Sequence, residues 1–378
     1  MKKIKILNFP MGNTMGGLTR YALTNGEFID NQKFQFDYAA IQQIENKEVF
    51  TCHGGRLFQL DCYPRQNFAK FSRDFNKILD ENYDVIHIHT RHWSDFTIEE
   101  LARQRNIPKI IVHAHVSEVI LTMENGDIYE EKRRKLTEEH YAVRERLTEK
   151  VATDFWACSE EAADWLYGNR IPASRIVFMK NAINVSKFVF QRSLFEEVRK
   201  NLGIQDKFVI GQVGRFAAEK NHKFMIEVLK ELLKLDTNIV LIFIGEGPTE
   251  SSIKNMVKQY GLDQHVIFLG KREDVHHILQ GMDMFSLPSI KEGFPISLVE
   301  AQASDLPCVV SDSVTKKANI LGTIDYQPLE IQNWVSSILR IKRKNWTRRN
   351  VYQEMTDKGY NIKYQIKDLE ARYAEGVL

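Results

Sequence analysis

Short apolar runs rich in Ile, Val and Phe alternate along the chain with longer segments in which apolar residues recur at helical spacing. Runs that are apolar at nearly every position are typical of parallel strands with helices on both faces. The pattern therefore predicts an α/β protein. The predicted strands include residues 4–9, 85–89, 110–115, 155–158, 208–213, 239–245, 266–269, 284–287 and 308–310. The predicted helices include residues 96–105, 131–151, 222–235, 249–260, 275–280 and 295–303.

The strands fall into two series, which predicts two doubly wound domains. Residues 181–190 show little helical periodicity, and the second series begins near residue 207. We therefore place one domain at 1–188 and the other at 189–358, followed by a terminal helix at 359–378. In such sheets ligands bind at the carboxyl ends of the strands. The residues that follow strands are therefore the candidates for function.

Composition and charge exclude several classes of protein. Of the 378 residues, 43% are hydrophobic and 27% are charged, as in soluble globular proteins. A net charge of +2 gives no electrostatic basis for nucleic-acid binding. We find no signal-peptide cleavage site, no apolar stretch of membrane-helix length and no C-x-x-C pair among the four cysteines. We therefore expect a cytoplasmic protein with reduced cysteines and no nucleic-acid partner.

The segment 288–300 (PSIKEGFPISLVE) carries the strongest chemical signal in the chain. A strand ends near residue 288, Glu292 lies in the following loop, and Pro295 suits the first position of a helix because no N–H is needed there. The free amides of that first turn favour an anion. Glu292 and Glu300 are carboxylates that can accept hydroxyls from two parts of an extended ligand. The alternative is a pair of solvated glutamates.

Two cations follow the strand at 208–213. Arg215 and Lys220 combine a guanidinium with an ammonium in one loop, which suits a diphosphate. Ordinary surface cations are the alternative. This loop and the segment 288–300 are expected at one edge, because they follow the first and fourth strands of the same sheet. The glycine loop after the first strand, with Gly16 and Gly17, fits either close approach to a ligand or a tight turn.

Histidines cluster on two predicted strands of the first domain. Alternation places His87 and His89 on one face of their strand, and His113 and His115 on one face of theirs. The spacing is conceivable for a metal, but no carboxylate or thiolate completes the ligand set, so we expect no zinc. His115, at the carboxyl end of its strand, is the candidate for ligand contact. The others are expected to be structural.

Other catalytic motifs are absent or incomplete. Glu250 occupies the third-glycine position of the dinucleotide fingerprint that begins at Gly245. The sequence contains no phosphate-binding G-x-x-x-x-G-K-[ST] loop, no G-x-S-x-G nucleophile motif and no Asp-x-Asp. The absence of Asp-x-Asp argues against a diphosphate held through a metal. The basic run 132–135 is expected to be a solvated face, or to contact anionic lipid headgroups.

These residues together resemble retaining glycosyltransferase family four, and most closely its bacterial exopolysaccharide and capsule members. The resemblance spans nearly the whole chain, including VHAHVS at 112–117, ACSEEAADWLYG at 157–168, GRFAAEKNH at 214–222, IGEGP at 244–248 and the segment 288–312. It implies the GT-B fold, in which two Rossmann-like domains face each other across a cleft and the last helix returns to the first domain. The first domain would bind the acceptor and the second the nucleotide-sugar donor.

The resemblance also implies the roles of individual residues. Arg215 and Lys220 match cations that bind the donor diphosphate and stabilise it as it leaves. Glu292 matches a carboxylate that meets the donor hexose, and Glu300 one that binds the ribose. His115 matches a histidine near the reacting sugar. Further donor-binding positions are expected at Gly16, Gly17, Gly214, Lys271, Arg272, Gly293, Phe294 and Ile296.

The implied reaction is a metal-independent transfer of a hexosyl unit, with retained anomeric configuration, from a nucleotide sugar. UDP is the expected nucleotide, and the expected acceptor is a glycan or polyprenyl-linked hydroxyl in cell-surface polysaccharide synthesis. No cofactor is expected, and peripheral contact with the inner membrane face is a further expectation. The alternatives left open are an epimerase of the same fold, a non-catalytic sugar-nucleotide-binding assembly partner and, more distantly, a nicotinamide oxidoreductase.

Overall fold

The computed structural model describes residues 2–12, 17–41, 43–119 and 126–377, with side chains from residue 131 onward in the last range. The chain forms two compact units. The first comprises Met1–Ile120, Glu130–Ala182 and Ile362–Leu378, and the second contains Ile183–Asn361. Each unit is built on its own parallel sheet, as the apolar pattern predicts.

Seven parallel strands form the sheet of the first unit, in the order β3-β2-β1-β4-β5-β6-β7. This is the order of a doubly wound Rossmann sheet with one further strand. The central strands are apolar at nearly every position because helices cover both faces, and all six residues of β5 are buried. The strands are β1 (Ile4–Met11), β2 (Phe34–Ala40), β3 (Leu57–Gln59), β4 (Val85–Thr90), β5 (Lys109–Ala114), β6 (Asp154–Ala157) and β7 (Ile176–Phe178).

Two helices of the first unit begin at capping side chains. The side chains of Asn67 and Ser159 accept hydrogen bonds from amides in the first turns of α3 and α6, at 3.0 and 3.1 Å. The α3 helix then buries Phe71 and Phe75 on one face. The helices between these strands are α1 (Gly17–Phe28), α2 (Glu48–Thr51), α3 (Phe68–Leu79), α4 (Thr97–Gln104), α5 (Gly126–Arg144) and α6 (Glu160–Tyr167).

Six parallel strands form the sheet of the second unit, in the doubly wound order β10-β9-β8-β11-β12-β13. Alternate residues of β9 enter two separate apolar cores, with Leu241 and Phe243 in one and Ile242 and Ile244 in the other. The strands are β8 (Phe208–Val213), β9 (Ile239–Ile244), β10 (Val266–Phe268), β11 (Met284–Leu287), β12 (Cys308–Ser311) and β13 (Ile324–Gln327). The helices are α7 (Val185–Phe188), α8 (Arg192–Leu202), α9 (His222–Leu233), α10 (Glu250–Gln259), α11 (Val275–Ile278), α12 (Ile296–Ala303), α13 (Ile331–Lys344) and α14 (Tyr352–Asp357).

The C-terminal helix, Ile362–Ala374, belongs to the first unit. Its apolar face buries Ile366, Leu369 and Tyr373 in the core beside β1 and β2. The carboxylate of Glu370 accepts a hydrogen bond from the Asp30 amide at 2.8 Å, which ties the helix to the chain after α1. The expected return of the last helix to the first domain is therefore confirmed.

The predicted strands agree with the observed strands to within one residue at most ends, but the prediction did not include β2, β3, β7 and β13. Two of these have only three residues, and β13 carries polar side chains. The predicted helix 131–151 ends at Arg144. The segment 181–190 contains the short helix α7, and Val185 and Phe188 lie in a core of the second unit. The second unit therefore begins at Ile183, before the predicted boundary near residue 188.

No helix within the described ranges is long and apolar enough to cross a membrane.

Gly245, directly after β9, provides a test of how closely two loops approach. It has a φ of +140°, and an added Cβ would lie 2.0 Å from the carbonyl oxygen of Gly214. We expect Gly245→Ala to lower the free energy of unfolding by about 3 kcal/mol, from backbone strain and overpacking together. Urea unfolding measures this loss.

The matched control is Gly261→Ala. Gly261 has a φ of +64°, but an added Cβ there meets no described atom within 4 Å. Only the left-handed strain remains, at about 1 kcal/mol. Equal losses in the two variants would contradict the close approach of the loops that follow β8 and β9.

Candidate functional site

Backbone hydrogen bonds join four loops at the carboxyl edge of the second sheet. Gly245 N donates to Gly270 O at 2.8 Å, which links the loops after β9 and β10. Ile290 N donates to Glu219 O at 2.8 Å, which links the loops after β11 and β8, and a third bond of 3.0 Å links those after β8 and β9. The predicted meeting of two loops at one edge is confirmed, because β8 and β11 are hydrogen-bonded neighbours.

Arg215 and Lys220 both lie in the loop after β8. The buried Gln212 side chain donates to the carbonyl of Lys220 at 2.8 Å and fixes the end of this loop. A Cβ added at Gly214 would lie 3.6 Å from the stem of Lys220, an ordinary van der Waals contact. The guanidinium of Arg215 makes no hydrogen bond or ion pair with residues in the described part of the chain. Its charge is therefore available to an anion.

Glu292 is held by two donors at one of its oxygens. Lys220 Nζ forms an ion pair with Glu292 Oε1, and the two side chains are 20% and 10% exposed. The buried hydroxyl of Ser289 donates to the same Oε1 at 2.8 Å. Ser313 in turn donates to the carbonyl of Ser289 at 2.8 Å and steadies that turn. Within the described ranges Oε2 makes no hydrogen bond, so Oε2 remains to accept a hydroxyl of a ligand.

The helix after Glu292 begins one residue later than predicted. Pro295 is the N-cap of α12, with ψ at 117°, so its assignment to the first helical position is wrong; its backbone is still extended. Among the described residues, the amides of Gly293, Phe294 and Ile296 have no backbone hydrogen-bond partner. The side chains of Phe294 and Ile296 pack against the apolar core. These positions therefore offer a ligand their amides, and the helix terminus favours an anion.

Glu300 lies in the second turn of α12 and is 3% exposed. Glu292 and Glu300 therefore differ in setting: one is in the loop at the edge of the sheet and the other is in the helix. The expectation that they meet different parts of a ligand stays a prediction.

Lys271 and Arg272 follow β10 and are exposed. The amide of Lys271 donates to the Glu246 carboxylate at 3.3 Å. The guanidinium of Arg272 pairs with Asp274 at 2.6 Å, and this hydrogen bond raises the pKa of Arg272. Because that guanidinium is engaged, the loop offers a ligand chiefly its backbone groups. Donor binding at Lys271 and Arg272 stays a prediction.

Four histidines of the first unit lie together on one face of its sheet. Parallel pairing sets His89 opposite His113 on neighbouring strands. His87 Nε2 lies 3.0 Å from His113 Nδ1, and His89 Nδ1 lies 2.9 Å from His115 Nε2. The ring of Tyr21 packs edge-on against all four imidazoles. His115, directly after β5, is 9% exposed and the most accessible of the four, as predicted.

Burial keeps this cluster uncharged. Desolvation lowers the pKa of each imidazole, to about 3 for His115, so the four rings are neutral at neutral pH. Ring nitrogens of His87, His89 and His113 lie within 4.8 Å of one another, a spacing that a metal can use. Hydrogen bonds engage both ring nitrogens of His87 and of His89, including a contact of 2.6 Å between His87 Nδ1 and the Tyr373 hydroxyl, whereas His113 Nε2 has no partner among the described residues. The expectation that no metal binds stays a prediction.

The glycine loop is only partly described. Gly17 is the first residue of α1 and is exposed. The amide of Gly12 donates to Thr19 Oγ1 at 3.1 Å, which anchors the end of β1 to α1. Gly16 lies outside the described residues, so the predicted contact of this loop with a phosphate is not tested.

Two family models match the chain. The glycosyl transferase 4-like domain matches residues 16–182, and glycosyl transferases group 1 matches residues 195–323. The second match contains Arg215, Lys220 and Glu292, which lie at one edge of the second sheet, and Glu300 in α12. The chain belongs to the group 1 and 4-like glycosyltransferases. The predicted family and its enzyme class are therefore confirmed.

Several relatives match this glycosyltransferase over nearly its whole length. EpsF of Bacillus subtilis, named as a glycosyltransferase, is 29% identical over 373 residues, which cover 96% of this chain and 94% of EpsF. The UDP-Gal:alpha-D-GlcNAc-diphosphoundecaprenol alpha-1,3-galactosyltransferase of Escherichia coli is 23% identical and covers 100% and 98%. The crystal structure of Anabaena HepE in complex with UDP-glucose superposes with a TM-score of 0.70 at 16% identity, covering 99% and 96%. The likeness to HepE establishes the GT-B fold.

The sequence alone does not indicate a role in the site for Ser289, Ser313, Asn8 or Tyr373. The position of Ser289, just after a strand and three residues before Glu292, could have indicated a contact with that carboxylate. Ser313 and Tyr373 reach their partners only through tertiary structure, and no local pattern indicates such contacts. Asn8 is a polar residue inside a largely apolar strand, and no local sequence feature indicates that it contacts a histidine.

We predict that Ser289→Ala lowers the kcat of this glycosyltransferase about tenfold, because the Glu292 carboxylate loses one of the two donors that position it. The free energy of unfolding should fall by about 1 kcal/mol. Ser286→Ala is the matched control, since that buried hydroxyl donates to a backbone carbonyl, Gly211 O, at 3.0 Å. The control should lose stability but keep its kcat. Equal kcat values for the two variants would exclude a positioning role for Ser289.

Proposed function

We propose that this glycosyltransferase transfers a hexosyl unit from a UDP-sugar to a hydroxyl of a polyprenyl-linked or glycan acceptor, retaining the anomeric configuration and using no metal. The observation that carries the proposal is the combination of groups at one edge of the second sheet. Arg215 and Lys220 supply positive charge there, and Glu292 supplies an acceptor for hydroxyls. We assign donor binding to this edge.

The donor diphosphate is assigned to Arg215, Lys220 and the free amides at the start of α12. A guanidinium fork and an ammonium bind phosphate oxygens through charge-assisted hydrogen bonds. The ion pair with Glu292 uses one N–H of Lys220, and an ammonium has three. The same groups stabilise the negative charge that develops on UDP as it leaves.

The two sugars of the donor are assigned to the two carboxylates. Oε2 of Glu292 accepts hydroxyls of the hexose, while Lys220 and Ser289 hold Oε1. Glu300, in the second turn of α12, accepts hydroxyls of the ribose. The backbone around Lys271 and Arg272 is assigned to binding of the nucleotide base of the donor.

In the retaining reaction that we propose, the acceptor hydroxyl attacks the anomeric carbon on the face from which UDP leaves. The acceptor oxygen forms its bond to that carbon as the carbon–oxygen bond to the phosphate breaks, and the hydroxyl proton passes to the departing phosphate oxygen. This route needs no protein base. Arg215 and Lys220 take the role of charge neutralisation that a metal ion has in other phosphate chemistry, and the chain has no Asp-x-Asp motif. His115 is assigned a contact with the transferred sugar.

The identity of the donor and acceptor is inferred from the relatives. The name of the E. coli relative gives UDP-Gal as its donor and a diphosphoundecaprenol-linked sugar as its acceptor. HepE binds UDP-glucose in its crystals. We extend a UDP-sugar donor and a lipid-linked acceptor to this chain. Such an acceptor would bring the enzyme to the cytoplasmic face of the inner membrane, in cell-surface polysaccharide synthesis.

A panel of UDP-, GDP- and TDP-hexoses, each with and without polyprenyl-diphosphate-linked sugars, tests this proposal. We expect UDP release from one or more UDP-hexoses that depends on the acceptor, a product that keeps the anomeric configuration of the donor by NMR, and full activity in EDTA. An epimerised donor formed without acceptor would contradict transfer. An inverted product would contradict retention, and EDTA inhibition that Mg²⁺ reverses would contradict metal independence.

Glu292→Gln and Lys220→Met test the assigned roles. Each variant removes one charge at nearly constant volume, so we expect kcat/KM to fall at least a hundredfold while the protein stays folded. Glu231→Gln is the control, because it breaks an exposed ion pair of 2.7 Å with Lys234 at the end of α9. The control should keep wild-type turnover. Near wild-type turnover in Glu292→Gln or Lys220→Met would overturn the assignment.

A further inference from the structure

Asn8 has its side-chain orientation set by a backbone carbonyl. It lies in β1, is 1% exposed, and donates from Nδ2 to Asp37 O at 3.3 Å. The reverse orientation would place two acceptor oxygens against each other, because a carbonyl cannot donate. The side-chain oxygen of Asn8 therefore points to His89 Nε2, at 3.2 Å.

This orientation determines which ring nitrogen of His89 carries the proton. An amide oxygen only accepts, so His89 must carry its proton on Nε2. Burial lowers the pKa of His89 well below its ordinary value, so the ring is neutral and its Nδ1 is an acceptor. The neighbour at that nitrogen is His115 Nε2, at 2.9 Å. His115 must therefore be the donor, and its single ring proton lies on Nε2.

The other two histidines form a separate chain of hydrogen bonds. Tyr373 bonds to His87 Nδ1 at 2.6 Å, and His87 Nε2 bonds to His113 Nδ1 at 3.0 Å. The ring of His113 lies 4.0 Å from that of His115, centre to centre, but the two share no hydrogen bond. The choice of ring nitrogen that carries the His115 proton therefore depends on Asn8 and not on Tyr373.

We propose that Asn8 and His89 are positioning residues that hold the proton of His115 on Nε2 and so keep Nδ1 of His115 as an acceptor for a substrate hydroxyl. Within the described ranges Nδ1 of His115 has no hydrogen-bond partner. His115 directly follows β5, at the carboxyl edge where ligands of such sheets bind. The proposal rests on the proposed function, in which His115 contacts the transferred sugar.

The position of the proton can be measured without turnover. In protein labelled with ¹⁵N in the 11 histidine rings, long-range ¹H–¹⁵N correlation spectra distinguish protonated from bare ring nitrogens. His115→Gln and His89→Gln assign the two signals by their loss. We expect both rings to be neutral, with protonated Nε2 and bare Nδ1. A His115 ring protonated on Nδ1 in the wild-type protein would overturn the proposal.

Asn8→Leu tests the cause of this proton position, since leucine has a similar size but cannot accept from His89. We expect the His115 signal to shift to a mixture of the two tautomers, and kcat to fall about tenfold with little change in the KM for the donor. Tyr373→Phe is the matched control, since it removes a buried hydroxyl from the other chain of hydrogen bonds. This variant should lose stability but keep the wild-type His115 tautomer and kcat.

The outcomes separate this proposal from the proposed function. An unchanged His115 tautomer in Asn8→Leu would overturn the role of Asn8, and so would a changed tautomer with wild-type kcat. Equal loss of kcat in Asn8→Leu and Tyr373→Phe would indicate a structural role only and also overturn it. If the wild-type protein transferred no sugar at all, the proposed function would fail, whereas the spectra would still report the proton on His115.

Discussion

The ion pair between Lys220 and Glu292 joins residues 72 positions apart in the sequence, and it depends on the pairing of two strands. The strands β8 and β11 are hydrogen-bonded neighbours, with Met284 opposite Ile210. In a parallel pair both following loops leave at the same edge, so the pairing delivers the cation and the carboxylate to one place. The pairing is stable because the strands are apolar on both faces and helices cover each face.

The same constraint organises the histidines of the first unit. Neighbouring strands β4 and β5 hold His89 opposite His113, and alternation then puts four imidazoles on one face. Their burial would be costly if each ring lacked a partner. Two chains of hydrogen bonds, ending at Asn8 and Tyr373, reduce that cost and leave His115 as the most accessible ring. In each unit, a polar site lies where parallel apolar strands end.

The sequence was sufficient to predict the two parallel sheets, because continuous apolar strands and helical periodicity are local patterns. The edge strand β13 was not predicted, since its short and partly polar segment lacks such a pattern. The candidates Arg215, Lys220 and Glu292 were predictable because they follow strands. The contacts of Ser289 with Glu292 and of Asn8 with His89 were not predictable, because they depend on side-chain directions that only the folded structure determines.

The central claim is that the cations bind the diphosphate while Glu292 binds the hexose, and calorimetric titration of UDP and UDP-hexose tests it most directly. Lys220→Met should weaken the binding of both UDP and UDP-hexose, since both carry the diphosphate. Glu292→Gln should weaken UDP-hexose about tenfold and leave UDP affinity nearly unchanged, because only the sugar reaches Oε2. Equal weakening of UDP and UDP-hexose by Glu292→Gln would contradict the account.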